Sequence, residues 1–192
     1  MRKNIFLTMV VVSLFFSGCT IMKDTSLISK PSKKKALVNF VRPSVFFADG
    51  IDVDIWDGTR YIGSLSAGSM IQTEVEVGKH LFLGNTENFS YAYGDLLAGK
   101  QYFIKANMFP GFWKARVALG VAKSDDKRVD EWLDELTPMV VKSEKDRKEF
   151  EMERKKGVEE KIADFEEGKV SRFATISSKN IHPILSEIDK KE

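Results

Sequence analysis

The chain has 192 residues, 43% of them apolar and 30% charged, which suits one packed domain with an appendage and by itself excludes neither an enzyme nor a binding protein. Its formal charge of +2 resides in Arg2 and Lys3: beyond residue 18 the chain carries 28 basic and 28 acidic side chains, which excludes a global field that would draw nucleic acid. A single cysteine excludes an internal disulfide, and with only two histidines it leaves a His/Cys zinc site short of ligands.

Arg2 and Lys3 precede an apolar run from Ile5 to Phe16 whose only polar members are Thr8 and Ser13. This has the form of an export signal, and it is too short to span a bilayer, which takes about 20 residues. The run ends in Phe16-Ser17-Gly18-Cys19, which resembles the lipobox of bacterial lipoproteins, with Phe16 where Leu is usual. The resemblance implies that residues 1–18 are removed and that Cys19 is the lipid attachment site, so the membrane becomes a partner through an N-terminal acyl anchor (palmitate or a similar chain). In a Gram-negative host, Thr20 in place of Asp implies the outer membrane, with the domain facing the periplasm.

Residues 19–35 read as a flexible tether rich in Ser, Pro and Lys, ending in Lys33-Lys34-Lys35. Ala36 to Val41 is nearly continuous and apolar, as expected of a strand buried on both faces, and it stops at Arg42-Pro43. From Ile51 to Asp57 the pattern alternates. Ile51, Val53 and Ile55 are expected inside, with Asp52, Asp54 and Trp56 toward water. Asp57-Gly58 before Tyr61-Ile62-Gly63 predicts a hairpin, and Thr73, Val75 and Val77 a further half-buried strand.

Two matched turns follow, Gly78-Lys79 opening His80 to Leu83 and Gly99-Lys100 opening Gln101 to Ile104, with a polar loop through Asn85, Glu87, Asn88 and Ser90 between them. Neither turn stands in a Gly-x-x-x-x-Gly-Lys-Ser/Thr sequence, so neither reads as a phosphate loop. A last strand places Ala115, Val117, Leu119 and Val121 on one face. About seven short strands without an intervening helical pattern predict a mainly β fold, an antiparallel β-sandwich over residues 36–122.

The order Ala36-Leu37-Val38-x-Phe40-Val41-Arg42-Pro43, the Ile51 to Ile62 hairpin, Val77-Gly78-Lys79-His80, Leu97-Ala98-Gly99-Lys100-x-Tyr102-Phe103-Ile104 and the Gly111-Phe112 turn resembles the bacterial lipoprotein family with domain of unknown function 2846. The resemblance implies an exported, often lipidated sandwich of transthyretin-like or immunoglobulin-like kind. It implies no activity.

Past the sandwich the charge balance shifts from 8 basic and 8 acidic residues over 36–123 to 15 and 19 over 124–192, and residues 123–192 are expected as a helical extension. Ser124 is the candidate N-cap of a helix with a stripe of Val129, Trp132, Leu133 and Leu136. Lys142 to Lys156 is almost wholly charged and predicts a solvated helix, with Val158, Ile162 and Phe165 as a narrow apolar strip. A last short helix is expected from Pro183 through Ile188.

Candidate chemistry is sparse. The acidic stretch Asp49, Asp52, Asp54 and Asp57 fails the EF-hand spacing, since counting from Asp52 puts Trp56 fifth. No metal or other cofactor is expected, and catalytic residues are none. His80, beside a strand-opening turn, is expected to be structural. The candidate partner or ligand surface is Phe46, Phe47, Phe109, Phe112 and Trp113, which gather around two Pro-containing turns. The competing and simpler reading has them closing the sandwich end or receiving Trp132 and Leu136. The chain is thus expected to be a lipid-anchored, non-enzymatic binding or structural module of the cell envelope that meets a protein partner and no nucleic acid. Two alternatives stand beside it: an envelope hydrolase using Asp49 to Asp57, which requires a concave site and a carboxylate with a shifted pKa, and a helical tail that binds the partner from the sandwich as platform.

Overall fold

The computed structural model describes residues 21–29, 31–113 and 115–183; the signal segment, Cys19 and residues 184–192 of the expected last helix lie outside them. Eleven strands form two facing sheets: β1 (Met22–Asp24), β2 (Ala36–Arg42), β3 (Val53–Asp57), β4 (Arg60–Leu65), β5 (Ser69–Val75), β6 (Gly78–Asn85), β7 (Phe89–Leu96), β8 (Gln101–Pro110), β9 (Ala115–Val121), β10 (Thr137–Val141) and β11 (Ala174–Ile176). The first sheet runs β1-β10-β5-β2-β8-β9 and the second β11-β7-β6-β3-β4. The protein is a mainly β sandwich, not a barrel.

β2 is buried along its whole length because it lies inside the wider sheet, between β5 and β8. Val38 and Phe40 enter the core between the sheets, where the Phe40 and Phe82 rings meet edge to face at 5.2 Å. On the outer face, Val41 joins Met70 and Phe103 beneath α1 (Arg128–Glu135). The expected stripe of Val129, Trp132, Leu133 and Leu136 is the face that seals this patch. Helix α1 begins at Arg128 rather than after Ser124, because Asp126 is engaged by the Arg128 side chain at 2.6–2.8 Å.

Helix α2 (Glu144–Glu166) does the same for the second sheet. Ser143 caps it, accepting from the Asp146 amide at 3.1 Å. Phe150 stacks on Tyr61 at 4.2 Å and lies 5.9 Å from Trp56, while Phe165 meets Tyr91 and Tyr93 at 5.6 and 5.4 Å. Trp56, expected toward water, is therefore only 1% exposed: the face of β3 that alternation assigns to solvent is roofed by the helix. The backbone of Tyr61 on the edge strand β4 donates to Glu151 at 2.9 Å and accepts from Arg147, so α2 also covers that open edge. The apolar side of α2 is spent on the sheet.

Three further expectations are corrected. The strands number eleven rather than about seven, and three pairs are parallel: β2 with β8, β5 with β10, and β7 with β11. The sandwich is not confined to residues 36–122, since β10 and β11 come from the tail. The described part of the tether is fixed to the fold: β1 covers the edge of β10, Met22 is buried, and Ile28 donates its amide to Gln72 Oε1 at 2.6 Å. Strands of three to five residues carry no legible period. β7 was not expected either. At Gly94 a Cβ would approach the Ile176 carbonyl oxygen to 2.2 Å, so glycine is what lets β11 lie on that strand.

Phe150→Ala is expected to cost about 2 kcal/mol of unfolding free energy in urea, while Met152→Ala, on the exposed side of the same helix, changes it by less than about 0.5 kcal/mol.

Candidate functional site

Arg42 ends β2 and is fully buried. Its guanidinium donates to the carbonyls of Leu65 at 3.2 Å and Ala48 at 2.6 Å, and Nε has no partner. No carboxylate forms an ion pair with it among the described residues. Burial pulls its pKa below the ordinary value, and the charges of Asp52 and Asp49 act against that pull. The loop after β2 is thereby drawn down onto the sandwich. Asp49 tightens it, accepting from the Ser44 hydroxyl at 2.7 Å and the Val45 amide at 2.9 Å, and a 3-10 turn at Phe46–Ala48 results.

That turn presents Phe46 fully to solvent, 99% exposed, with Phe47 half out. On the neighbouring strand β8 the chain runs to Phe109, Pro110 and the following tip, where Phe112 is 83% and Trp113 85% exposed. Glu87, in the turn between β6 and β7, fixes the tip by accepting from the Phe112 amide at 3.1 Å and the Trp113 amide at 3.4 Å. Asn88 ties the same turn to β9, exchanging hydrogen bonds of 2.8 and 2.9 Å with Val117. The reading in which these aromatics close the sandwich is overturned, as is the one in which they receive Trp132, which packs near Phe103 instead. Five large apolar side chains stand in water at one end of a held framework.

The acidic stretch is divided among three tasks. Asp49 shapes the loop. Asp57 receives His80 Nδ1 at 2.9 Å from both of its oxygens, while His80 Nε2 lies 2.9 Å from the Glu76 carbonyl. Both ring nitrogens face acceptors, so the imidazolium is the form that satisfies them, and the hydrogen bond to Asp57 raises the His80 pKa. His80 is structural, holding the hairpin turn of β3 and β4 against β6. Asp52 and Asp54 line a cleft of about 450 Å³ with Gly50, Ile51, Asn85, Thr86, Trp113 and Arg154. Asp54, expected toward open solvent, is half-buried there. Burial raises its pKa, against the hydrogen bond it accepts from Ser64 at 2.6 Å.

Sequence reasoning weighed Trp113 and the aspartates separately and missed Asn85, Thr86 and Arg154 as their neighbours. Arg154 is one more charge in a charged helix, and nothing in its local pattern distinguishes it. Among the described residues no group of three or more His, Cys, Asp or Glu converges to hold a metal ion, and no helix is long and apolar enough to cross a membrane. No family model matches the chain, and no curated protein or solved structure is significantly similar to it.

Arg42→Ala removes the guanidinium donors to the Leu65 and Ala48 carbonyls, of which Ala48 keeps the Ile51 amide at 3.0 Å, and is expected to lower stability by about 3 kcal/mol, with faster amide hydrogen exchange across residues 44–51 than across β2. The His80 contribution has the opposite sign from that of a carboxylate with a lowered pKa. It is present in full below the ordinary histidine value of 6.5 and is lost as pH rises through the raised folded-state value. The Tm gap between wild type and His80→Gln should therefore be wider at about pH 5.5 than at about pH 8.5.

Proposed function

We propose that the protein is a lipid-anchored envelope protein, a non-enzymatic binding module that is held by Cys19 at one end of the sandwich and presents the aromatic end to a protein partner. One observation carries this reading: the two ends are opposed. Ile21 accepts from the Lys142 amide at the tail of β10, and the registers across β10, β5 and β2 put that level at Gln101, the first residue of β8. Phe109 lies eight residues further along the same strand, about 26 Å away at ~3.3 Å per residue. Cys19 is two peptide units from Ile21, so its Cα is within about 8 Å of it.

The anchor end has the surface such an attachment needs. Lys33, Lys34, Lys79 and Lys100 are exposed there and outnumber the exposed Glu76 and Asp95 beside them, with Val77 and Leu97 half out at the two Gly-Lys turns. A basic rim with two apolar tips suits an anionic membrane face at about 1 kcal/mol per charge. The aromatic end then faces away from the bilayer, where its exposed rings have no lipid to enter. The resemblance of the turn order to an exported, often lipidated sandwich family is in keeping with an anchor and adds no orientation and no activity.

A second reading, an envelope hydrolase, has one observation in its favour: Asp54 is a carboxylate of raised pKa in a concave site. Turnover of an envelope sugar or peptide that disappears in Asp54→Asn would favour it over binding. For the binding module, Cys19→Ala should release the protein from membranes, and the triple change Phe109→Ala, Phe112→Ala, Trp113→Ala should abolish its crosslinks to envelope proteins without moving Tm by more than about 2 °C. Crosslinks that persist in the triple variant would count against the aromatic end.

A further inference from the structure

The cleft beside Trp113 has a particular inventory. Asp52, the Asn85 side-chain amide, the Thr86 hydroxyl and the Arg154 guanidinium line it, and none of them makes a side-chain hydrogen bond or an ion pair to another described residue. Thr86 Oγ1 is buried and has no partner at all. That oxygen is closed to solvent, so the polar groups the cleft offers to a ligand are those of Asp52, Asn85 and Arg154. Asp54 adds a carboxylate anchored on Ser64, and Arg154 is held over the Phe150 ring at 5.4 Å, which gives its head a fixed origin. One wall is different in kind: the indole of Trp113 is 85% exposed and stands edge to face against Phe112 at 5.0 Å.

Ligand classes can be separated on this chemistry. Two carboxylates against one guanidinium repel phosphates, sulfates and carboxylated ligands. A wholly apolar ligand would leave Asp52, Asn85 and Arg154 desolvated and unpaired. What fits is a molecule with one flat C–H face and a rim of neutral donors and acceptors. A pyranose ring has that form, with hydroxyls for Asp52, Asn85 and Arg154 and a C–H face for the indole.

We propose that this cleft binds a neutral or amino saccharide, one ring of a glycan stacked on Trp113 with its hydroxyls held by Asp52, Asn85 and Arg154. The inference rests on the reading that the aromatic end is the working end, and it names the ligand class for part of that surface. Asp52 and Trp113 are exposed, so their replacement leaves the fold intact.

The test uses the full chain in a detergent without sugar headgroups, probed on a printed array of neutral, amino and acidic saccharides. Saturable binding to neutral or amino saccharides is expected, weakened about tenfold or more by Trp113→Ala and separately by Asp52→Asn, with Tm unchanged and with Met152→Ala as a binding-competent control. A blank array, binding confined to acidic saccharides, or binding indifferent to Trp113→Ala would overturn the proposal. A blank array beside protein crosslinks that still depend on Phe109, Phe112 and Trp113 removes the saccharide and leaves the binding module standing. Loss of both removes both.

Discussion

The aromatic end of the molecule depends on one buried cation. Arg42 places a guanidinium at the top of β2 with no ion-pair partner among the described residues, and its donors go to two main-chain carbonyls, one at the end of β4 and one in the 3-10 turn after β2. Burying such a charge is costly, and what the fold gains is geometry: a loop of roughly ten residues is pulled onto the sheet and cannot swing free. From that loop come Phe46 and Phe47 on one side and Gly50, Ile51 and Asp52 in the wall of the cleft. Glu87 and Asn88 do the equivalent work for the tip opposite, through hydrogen bonds to Phe112, Trp113 and Val117. Exposed aromatic side chains on a loop that fluctuates would gain little from meeting a partner, because ordering them would consume the binding energy.

The sandwich separates this end from the other by the length of β8. Each outer face carries a helix, α1 over the Val41, Met70 and Phe103 patch of the six-stranded sheet and α2 over the five-stranded one. The basic end carries the matched Gly-Lys turns and lies near the point where the chain emerges toward Cys19, and the aromatic end holds the cleft. Under the proposed anchoring, the length of β8 makes the fold a spacer as well as a scaffold.

The sandwich was legible in the sequence where a continuous apolar run (β2), a turn signal after an alternating stretch (the β3–β4 hairpin) or a longer alternation (β9) marked the strand. It failed where pairing was decided by tertiary context. β1 and β11, at three residues each, have no period to read, and β7 hides its pattern behind Gly94 and Ser90. Trp56 shows the same effect on a single side chain. Strand alternation assigns it to the outer face correctly, but only the position of α2 decides that this face is dry. Of the candidate site, the aromatics were visible as residues but not as exposed ones. Asp52, Asp54, Asn85, Thr86, Trp113 and Arg154 come from four separate parts of the chain, and no local spacing brings them together.

The opposition of the two ends can be measured on the protein's own tryptophans. Trp56 and Trp132 are buried and Trp113 is exposed, so collisional quenching reports on the aromatic end. With the lipidated chain in vesicles, a water-soluble quencher such as acrylamide should reach Trp113, while brominated acyl chains in the same bilayer should leave its emission unchanged. Quenching of Trp113 by the brominated lipid would place the aromatic end in the membrane and contradict the account.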